Sequence, residues 1–385
     1  MVSMVGVAAA LLSPLVMTVG FFIWEGSWKG SAFGLNVFKG TMATCIFILT
    51  ILVLQLIGGG VGFARLLSSS QQSINFLLLS SFLGIVIGDS IWLQALKVIG
   101  ARRVIIIDSF KPGLGALLGA LMLRESCGLE VVFGLSLTTA GVLMVCLEEK
   151  PTNIEKDVND DKLSLSMTLY GYILAFLNVA FDAYGAVLTK EYGSEEQFDT
   201  FEVNLVRFGS ASLCLLLIAG IAKVHNKLVV GGGGSRMKMV GEGFMELTTM
   251  DTDLEGGVEL DDDEDLRGTG DDEEEEEERD IDAQRPAGGE GFPPRSKWFE
   301  VPTPTEMSHR DWALVACGVL FVTYISNSLS NFALLEIDVS ICLTLTSIGP
   351  IYSLPVGYIT KKDPITARSV VGSVLSVIGI FVLVQ

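Results

Sequence analysis

The stretch DSIWLQALKVIGARRVIIIDSFKPGLGALLGALMLRESCGLEVVFGLSLTTAGVLMVCL, residues 89–147, recurs without a gap as NSLSNFALLEIDVSICLTLTSIGPIYSLPVGYITKKDPITARSVVGSVLSVIGIFVLVQ, residues 327–385. A constant offset of 238 joins Ser90 to Ser328, Ala95 to Ala333, Ser109 to Ser347, Pro112 to Pro350, Gly134 to Gly372 and Gly141 to Gly379. Both stretches are apolar enough to lie in a bilayer. A membrane unit used twice commonly binds its ligand between the copies and exposes it to each side in turn. The repeat therefore predicts a transporter.

Composition points the same way. Half of the 385 residues are hydrophobic and the mean hydropathy is +0.52, too apolar for an ordinary soluble domain. A hydrocarbon core of about 30 Å takes about 20 apolar residues. Ten such spans are expected, at 5–26, 33–57, 74–97, 103–123, 129–147, 166–189, 200–223, 311–333, 339–360 and 367–384. No Lys or Arg precedes Lys29, so the first span lacks the basic region of a cleaved signal peptide. The formal charge of −19 is concentrated in residues 224–308, which hold 24 Asp or Glu against 8 Lys or Arg. The membrane body is close to neutral. Six cysteines stand singly, without a CxxC pair, and read as small buried hydrophobes. The two histidines, His225 and His309, flank the acidic segment, which leaves no His-based catalytic or metal site in the spans.

The repeat extends upstream. Trp24-Glu25-Gly26 parallels Phe181-Asp182-Ala183, and Asn36-Val37-Phe38-Lys39 parallels Asn204-Leu205-Val206-Arg207 at an offset of 168. The change of offset from 168 to 238 locates an insertion in the second copy, the acidic loop 224–308. That loop lacks apolar periodicity and is expected to be disordered. The organisation expected is a five-helix repeat over 1–149, a short polar linker over 150–165, and a second five-helix repeat over 166–385 interrupted by the loop. Five is odd, so the second copy enters the bilayer upside down. The fold class is thus all-α and integral to the membrane, with ten helices as two inverted repeats. Short loops on one side carry nine basic residues and those on the other three, which puts the loop-bearing side in the cytosol and both termini opposite.

Charges inside spans single out candidate residues, since each costs about 2.5–3.5 kcal/mol at a helix centre. Asp89 in span three and Lys111 in span four each lie 11 residues from Gly100, the expected turn. At 1.5 Å per residue both fall about 16 Å from that turn, near the midplane, where they can pair. Their equivalents, Asn327 and Gly349, are uncharged. A structural ion pair, an Asp108–Lys111 contact on one face and a substrate or proton site all remain open readings. Glu25 with Lys39, and Asp182 with Arg207, are expected as symmetric gating or structural pairs. Pro112 and Pro350 at matched positions, and Pro355 beyond, are expected helix breaks. Ser109, Thr346 and Ser347 would leave polar room beside them, and Trp92 and Tyr324 are candidate lining residues.

Asp108-Ser109-Phe110-Lys111-Pro112, followed by Leu121-Met122-Leu123-Arg124-Glu125 and a glycine-bearing span ending near Gly141, resembles the EamA-type unit of the drug/metabolite transporter superfamily. Thr346-Ser347-Ile348-Gly349-Pro350 and then Lys361-Lys362-Asp363 repeat it, with Asp363 where glutamate is usual. The resemblance implies ten helices, inverted repeats, a central site and both termini in the cytosol, the reverse of the charge count. It also implies a secondary transporter moving a small polar metabolite by alternating access. A nucleotide-sugar or sugar-phosphate exchanger using Lys39, Lys111 and Arg207 is the alternative within the superfamily. A channel, or a scaffold recruiting partners through the acidic loop, is the alternative outside it. No enzyme motif is present, and no cofactor, metal or nucleic acid is expected. The partners expected are the lipid bilayer, a small-molecule substrate and, in a homodimer, a second copy.

Overall fold

The computed structural model describes residues 3–24, 27–58, 62–126, 128–147, 165–231, 307–361 and 366–384. Contacts group the chain into a membrane unit, Met1–Ala222 with Lys297–Gln385, and a second unit, Lys223–Ser296. The described part of the second unit is the end of one helix, so the predicted disordered loop falls largely outside the described residues, as does most of the 150–165 linker.

The helices are α1 (Met4–Trp24), α2 (Ala32–Leu56), α3 (Phe63–Ser68), α4 (Gln71–Ser81), α5 (Asp89–Asp108), α6 (Lys111–Leu118), α7 (Leu129–Cys146), α8 (Leu165–Glu195), α9 (Thr200–Gly231), α10 (His309–Val319), α11 (Ser326–Glu336), α12 (Val339–Thr346), α13 (Gly349–Lys361) and α14 (Ala367–Val384). Among the described residues they supply ten stretches long and apolar enough to cross a bilayer. The ten agree with the expected spans except at their ends. Span six runs on to Glu195, and α9 continues to Gly231, because helical hydrogen bonds extend beyond the point where apolar sequence stops. Starts are set by side chains that accept from orphan N–H groups. Ser31 caps α2 through Gly34 N at 2.9 Å, and Ser308 with Asp311 forms a capping box on α10.

The α5 range conceals a reversal. Trp92 Nε1 donates to Asp108 Oδ2 at 3.4 Å. Sixteen residues of straight helix would separate these two positions by about 24 Å. The chain therefore folds back between them, as the expected turn at Gly100 requires. The second copy reverses at Ile337–Asp338, the equivalents of Ile99 and Gly100.

Inversion of the repeats is visible where α7 meets α14. Thr138 and Ser376 occupy the same repeat position, and Ser376 Oγ donates to Thr138 O at 3.1 Å. On one side of them Gly134 abuts Gly379, and on the other Gly141 abuts Gly372. Each of these contacts is the other with its partners exchanged. Helices that meet in this manner are antiparallel about a two-fold axis perpendicular to both, hence in the membrane plane. The approach is backbone to backbone: a Cβ on Gly141 would lie 2.3 Å from Gly372 O, and one on Gly379 2.6 Å from Thr138 N. A second crossing lies between α2 and α9, where Thr44 Oγ1 and Ser212 Oγ, equivalent at the 168 offset, are 3.0 Å apart. The axis runs through both crossings.

Polarity is distributed as bilayer solvation demands. Ser80, Thr138, Asn204, Thr344 and Ser376 are fully buried, whereas Leu121, Ile221 and Phe381 are at least 65% exposed. The expectation of buried cysteines is corrected by the same pattern. Cys342 is buried, but Cys45 and Cys317 lie on the exposed surface, because an apolar side chain in a membrane protein gains nothing by avoiding lipid. Cys127 is outside the described residues.

Candidate functional site

Of three π-helical segments among the described residues, Gly119–Leu123 ends span four and the other two occupy matched positions. Phe82–Gly88 joins α4 to α5, and Leu320–Ile325 joins α10 to α11. The offset of 238 carries one onto the other. A π segment inserts a residue into the helical ladder and rotates the helix beyond it, and such segments concentrate at functional sites. Asp89 follows the first directly, and Asn327 follows the second by one residue. No periodicity in the sequence announces either segment.

Each half also has a broken helix. Between α5 and α6 the chain turns at Ser109–Phe110, and between α12 and α13 at Ser347–Ile348. Proline lacks an N–H and clashes with a preceding turn, but it is tolerated in the first turn of a helix. Pro112 and Pro350 each stand second in the helix after the break. Phe110 N bonds to Ile107 O, which releases Ile106 O, and Ser109 Oγ donates to it at 2.6 Å. Ser347 Oγ does the same for Thr344 O at 2.8 Å. Thr346 Oγ1 donates to Cys342 O on its own helix. Pro355 is different from the expectation: it sits inside α13, which continues through it to Lys361. Pro14 lies inside α1, at a position the sequence pattern does not single out.

The charges within the spans pair otherwise than expected. Asp89 and Lys111 are not partners. Lys39 Nζ of α2 donates to Asp89 Oδ2 at 2.5 Å, and Lys111 Nζ of α6 donates to Asp182 Oδ2 of α8. The equal spacing from Gly100 placed each residue within its span but carried no information on lateral neighbours. The Lys111–Asp182 pair crosses from the first half to the second. Glu25 lies outside the described residues, so its expected pairing with Lys39 is not seen. Asp182 and Arg207 do not form an ion pair but flank Gly84: a Cβ there would lie 3.9 Å from Asp182 Oδ1 and 3.4 Å from Arg207 Nη2. These pairs are only partly buried, with side-chain exposures of 19% and 32% for Lys39 and Asp89, and 23% and 41% for Lys111 and Asp182.

At the position equivalent to Asp89 the second half carries no charge. Asn327 turns back on its own helix, donating to Val322 O and Thr323 O, the carbonyls loosened by the π segment. Arg207, the equivalent of Lys39, donates from Nη1 to Asn331 Oδ1 at 3.3 Å, and Asn331 Nδ2 donates to Asn204 Oδ1 at 2.7 Å. Asn331 and Asn204 were not expected at the site; uncharged residues in a span give little signal. Trp92 reaches the cluster through Asp108. Tyr324 does not join the charged groups: its hydroxyl meets Thr50 Oγ1 at 2.7 Å and its ring packs on Phe47.

Away from this cluster, Glu125 ties the end of span four to the second half. Both its oxygens accept from Val339 N at 2.9 Å, at the start of α12, and Lys190 Nζ stands 3.4 Å away. A cavity of about 630 Å³ opens beside it, lined in part by Arg124, Glu125, Lys190 and Asp338.

Comparison with known proteins agrees with this architecture. No curated protein sequence matches the chain. One crystal structure of a protein superposes over 98% of this chain and 96% of its own at a TM-score of 0.60 and 12% identity, a likeness of fold alone. Residues 291–385 match the model of the EamA-like transporter family, and with ten stretches among the described residues long and apolar enough to cross a bilayer this is a multi-pass integral membrane protein.

Proposed function

We propose that the protein is a secondary transporter that moves a small polar metabolite by alternating access, with its site at the midplane between the two repeats. The observation that carries this reading is the Lys111–Asp182 pair, a partly exposed charged contact between the halves. Rocking of inverted halves opens and closes such a boundary from either side. The two helix breaks and two π segments supply backbone that can bend where the halves meet. The exchanger reading for nucleotide sugars or sugar phosphates calls for basic residues, with Lys39, Lys111 and Arg207 as candidates, and of these Lys39 and Lys111 are each held by an aspartate. Partners of the working protein are the bilayer and the transported solute.

The test is uptake of a labelled metabolite panel into liposomes containing the purified full chain. Lys111→Met and Asp182→Asn should each lower uptake by roughly tenfold or more, the effect of about 1.4 kcal/mol. Wild-type uptake by both variants would defeat the reading.

A further inference from the structure

We propose that Asp108 is the proton-carrying residue of the transporter. It holds a proton while Lys111 is bound to Asp182, and releases it to water when Lys111 leaves Asp182 and turns to Asp108. This rests on the transporter reading and names its coupling ion. Asp108 ends α5, directly before the break at Ser109–Phe110, and Lys111 opens α6 directly after it. Its Oδ1 is buried without a hydrogen-bond partner, and its Oδ2 accepts from the indole N–H of Trp92 at 3.4 Å. No lysine, arginine or histidine nitrogen stands within ion-pair distance of it among the described residues. An ionised carboxylate in that condition is costly, and a buried acid escapes the cost by keeping its proton.

The surroundings of Asp108 favour a proton over any other cation. The ionisable side chains around it are Lys111 from α6, Asp182 and Tyr170 from α8 and Cys146 from α7, while Lys39 of α2 is taken up by Asp89. Of these neighbours only Lys111 is a cation, and it is bonded to Asp182. A metal ion would need several ligands, and among the described residues no three His, Cys, Asp or Glu are placed to hold one. The hydroxyl of Ser109 is committed to Ile106 O. The internal repeat links the acid to the lysine. The equivalents of Asp108 and Lys111 are Thr346 and Gly349, so both charges are present in one half and both are absent from the other. Thr346 is satisfied on its own helix by Cys342 O. The turn between Asp108 and Lys111 keeps the bond from Phe110 N to Ile107 O, a geometry that aligns residues three apart. Lys111 already lies in the field of both carboxylates. Once it leaves Asp182, its ammonium neutralises Asp108 and the proton on the carboxyl passes to water.

Infrared spectroscopy of the full chain in a sugar detergent, which adds no carbonyl band, reads the proton directly. At about pH 7, where an ordinary aspartate is ionised, a protonated-carboxyl band should be present and should disappear in Asp108→Asn. Its absence from the wild type, or its survival in the variant, overturns the assignment. Should Asp108→Asn fail to fold, Asp108→Glu must shift the band, and an unshifted band is equally decisive against it. Liposomes holding the full chain are then given labelled neutral amino acids, pyruvate, glucose 6-phosphate and uracil. With one proton per solute, a pH gradient of about one unit should drive up to about tenfold accumulation, and Asp108→Asn should bring that ratio to about one. Accumulation driven by a sodium gradient instead, or counterflow exchange indifferent to the pH gradient, overturns the proton site and leaves the transporter reading standing. Uptake of none of the four defeats the transporter reading, and the infrared band then decides the proton site by itself.

Discussion

Gly141→Ala adds one methyl group at the place where the two halves touch along their backbones. The new Cβ would stand 2.3 Å from Gly372 O, 2.3 Å from Ser376 Oγ and 2.7 Å from Ser376 N. A carbon and an oxygen settle at about 3.3 Å or beyond, so α14 has to withdraw from α7 by about 1 Å. Two of the three obstacles are main-chain atoms, which no rotamer change relieves. Withdrawal also lengthens the Ser376–Thr138 hydrogen bond and loosens the opposite contact of Gly134 with Gly379. Overpacking of this kind costs about 1–3 kcal/mol, and the lost contacts put Gly141→Ala at the upper end. Gly113→Ala is the internal control, since nothing lies within 4 Å of a Cβ there. Replacing a helical glycine by alanine is otherwise favourable by about 0.5–1 kcal/mol, so the control should be neutral or stabilising. Denaturant titration in detergent micelles, followed by tryptophan fluorescence, reads the difference as a lower midpoint for Gly141→Ala. Equal midpoints for the two variants would refute the backbone contact and, with it, the axis drawn through Thr138 and Ser376.

Glu125→Ala should lower stability by about 0.5–2 kcal/mol, as the loss of a helix cap does, because α12 loses the acceptor at Val339 N. Glu125→Gln should retain most of that stability and lose the attraction of Lys190, which the same titration resolves. Deletion of residues 232–290 should leave liposome uptake at the wild-type rate; loss of uptake would make the acidic segment part of the transport machinery.

The number of spans and their inversion were legible because apolar length and an unbroken offset are one-dimensional properties. The placement of Asp89 and Lys111 within spans three and four was legible for the same reason. Their partners were not. A residue in a helix bundle meets side chains from several other helices, and the choice among them depends on rotation about each helix axis. The π segments decide that rotation near Asp89 and Asn327, and they leave no mark in hydropathy. Asn204, Asn331 and Pro14 were not singled out because amides and single prolines in a span resemble packing choices. Pro355 was overrated for the converse reason: a proline kinks or ends a helix only where its context lets the chain depart.

The two π segments also order the history of the chain. They occupy the same repeat position, although the polar residues just after them diverged to Asp89 in one half and Asn327 in the other. The shared distortion therefore predates the duplication and the charge difference came later. A five-span ancestor with that distortion would have worked as an antiparallel pair of identical chains, inserted in both orientations. Fusion into one polypeptide removed the need for each copy to serve both orientations, and freed a single half to change its charge.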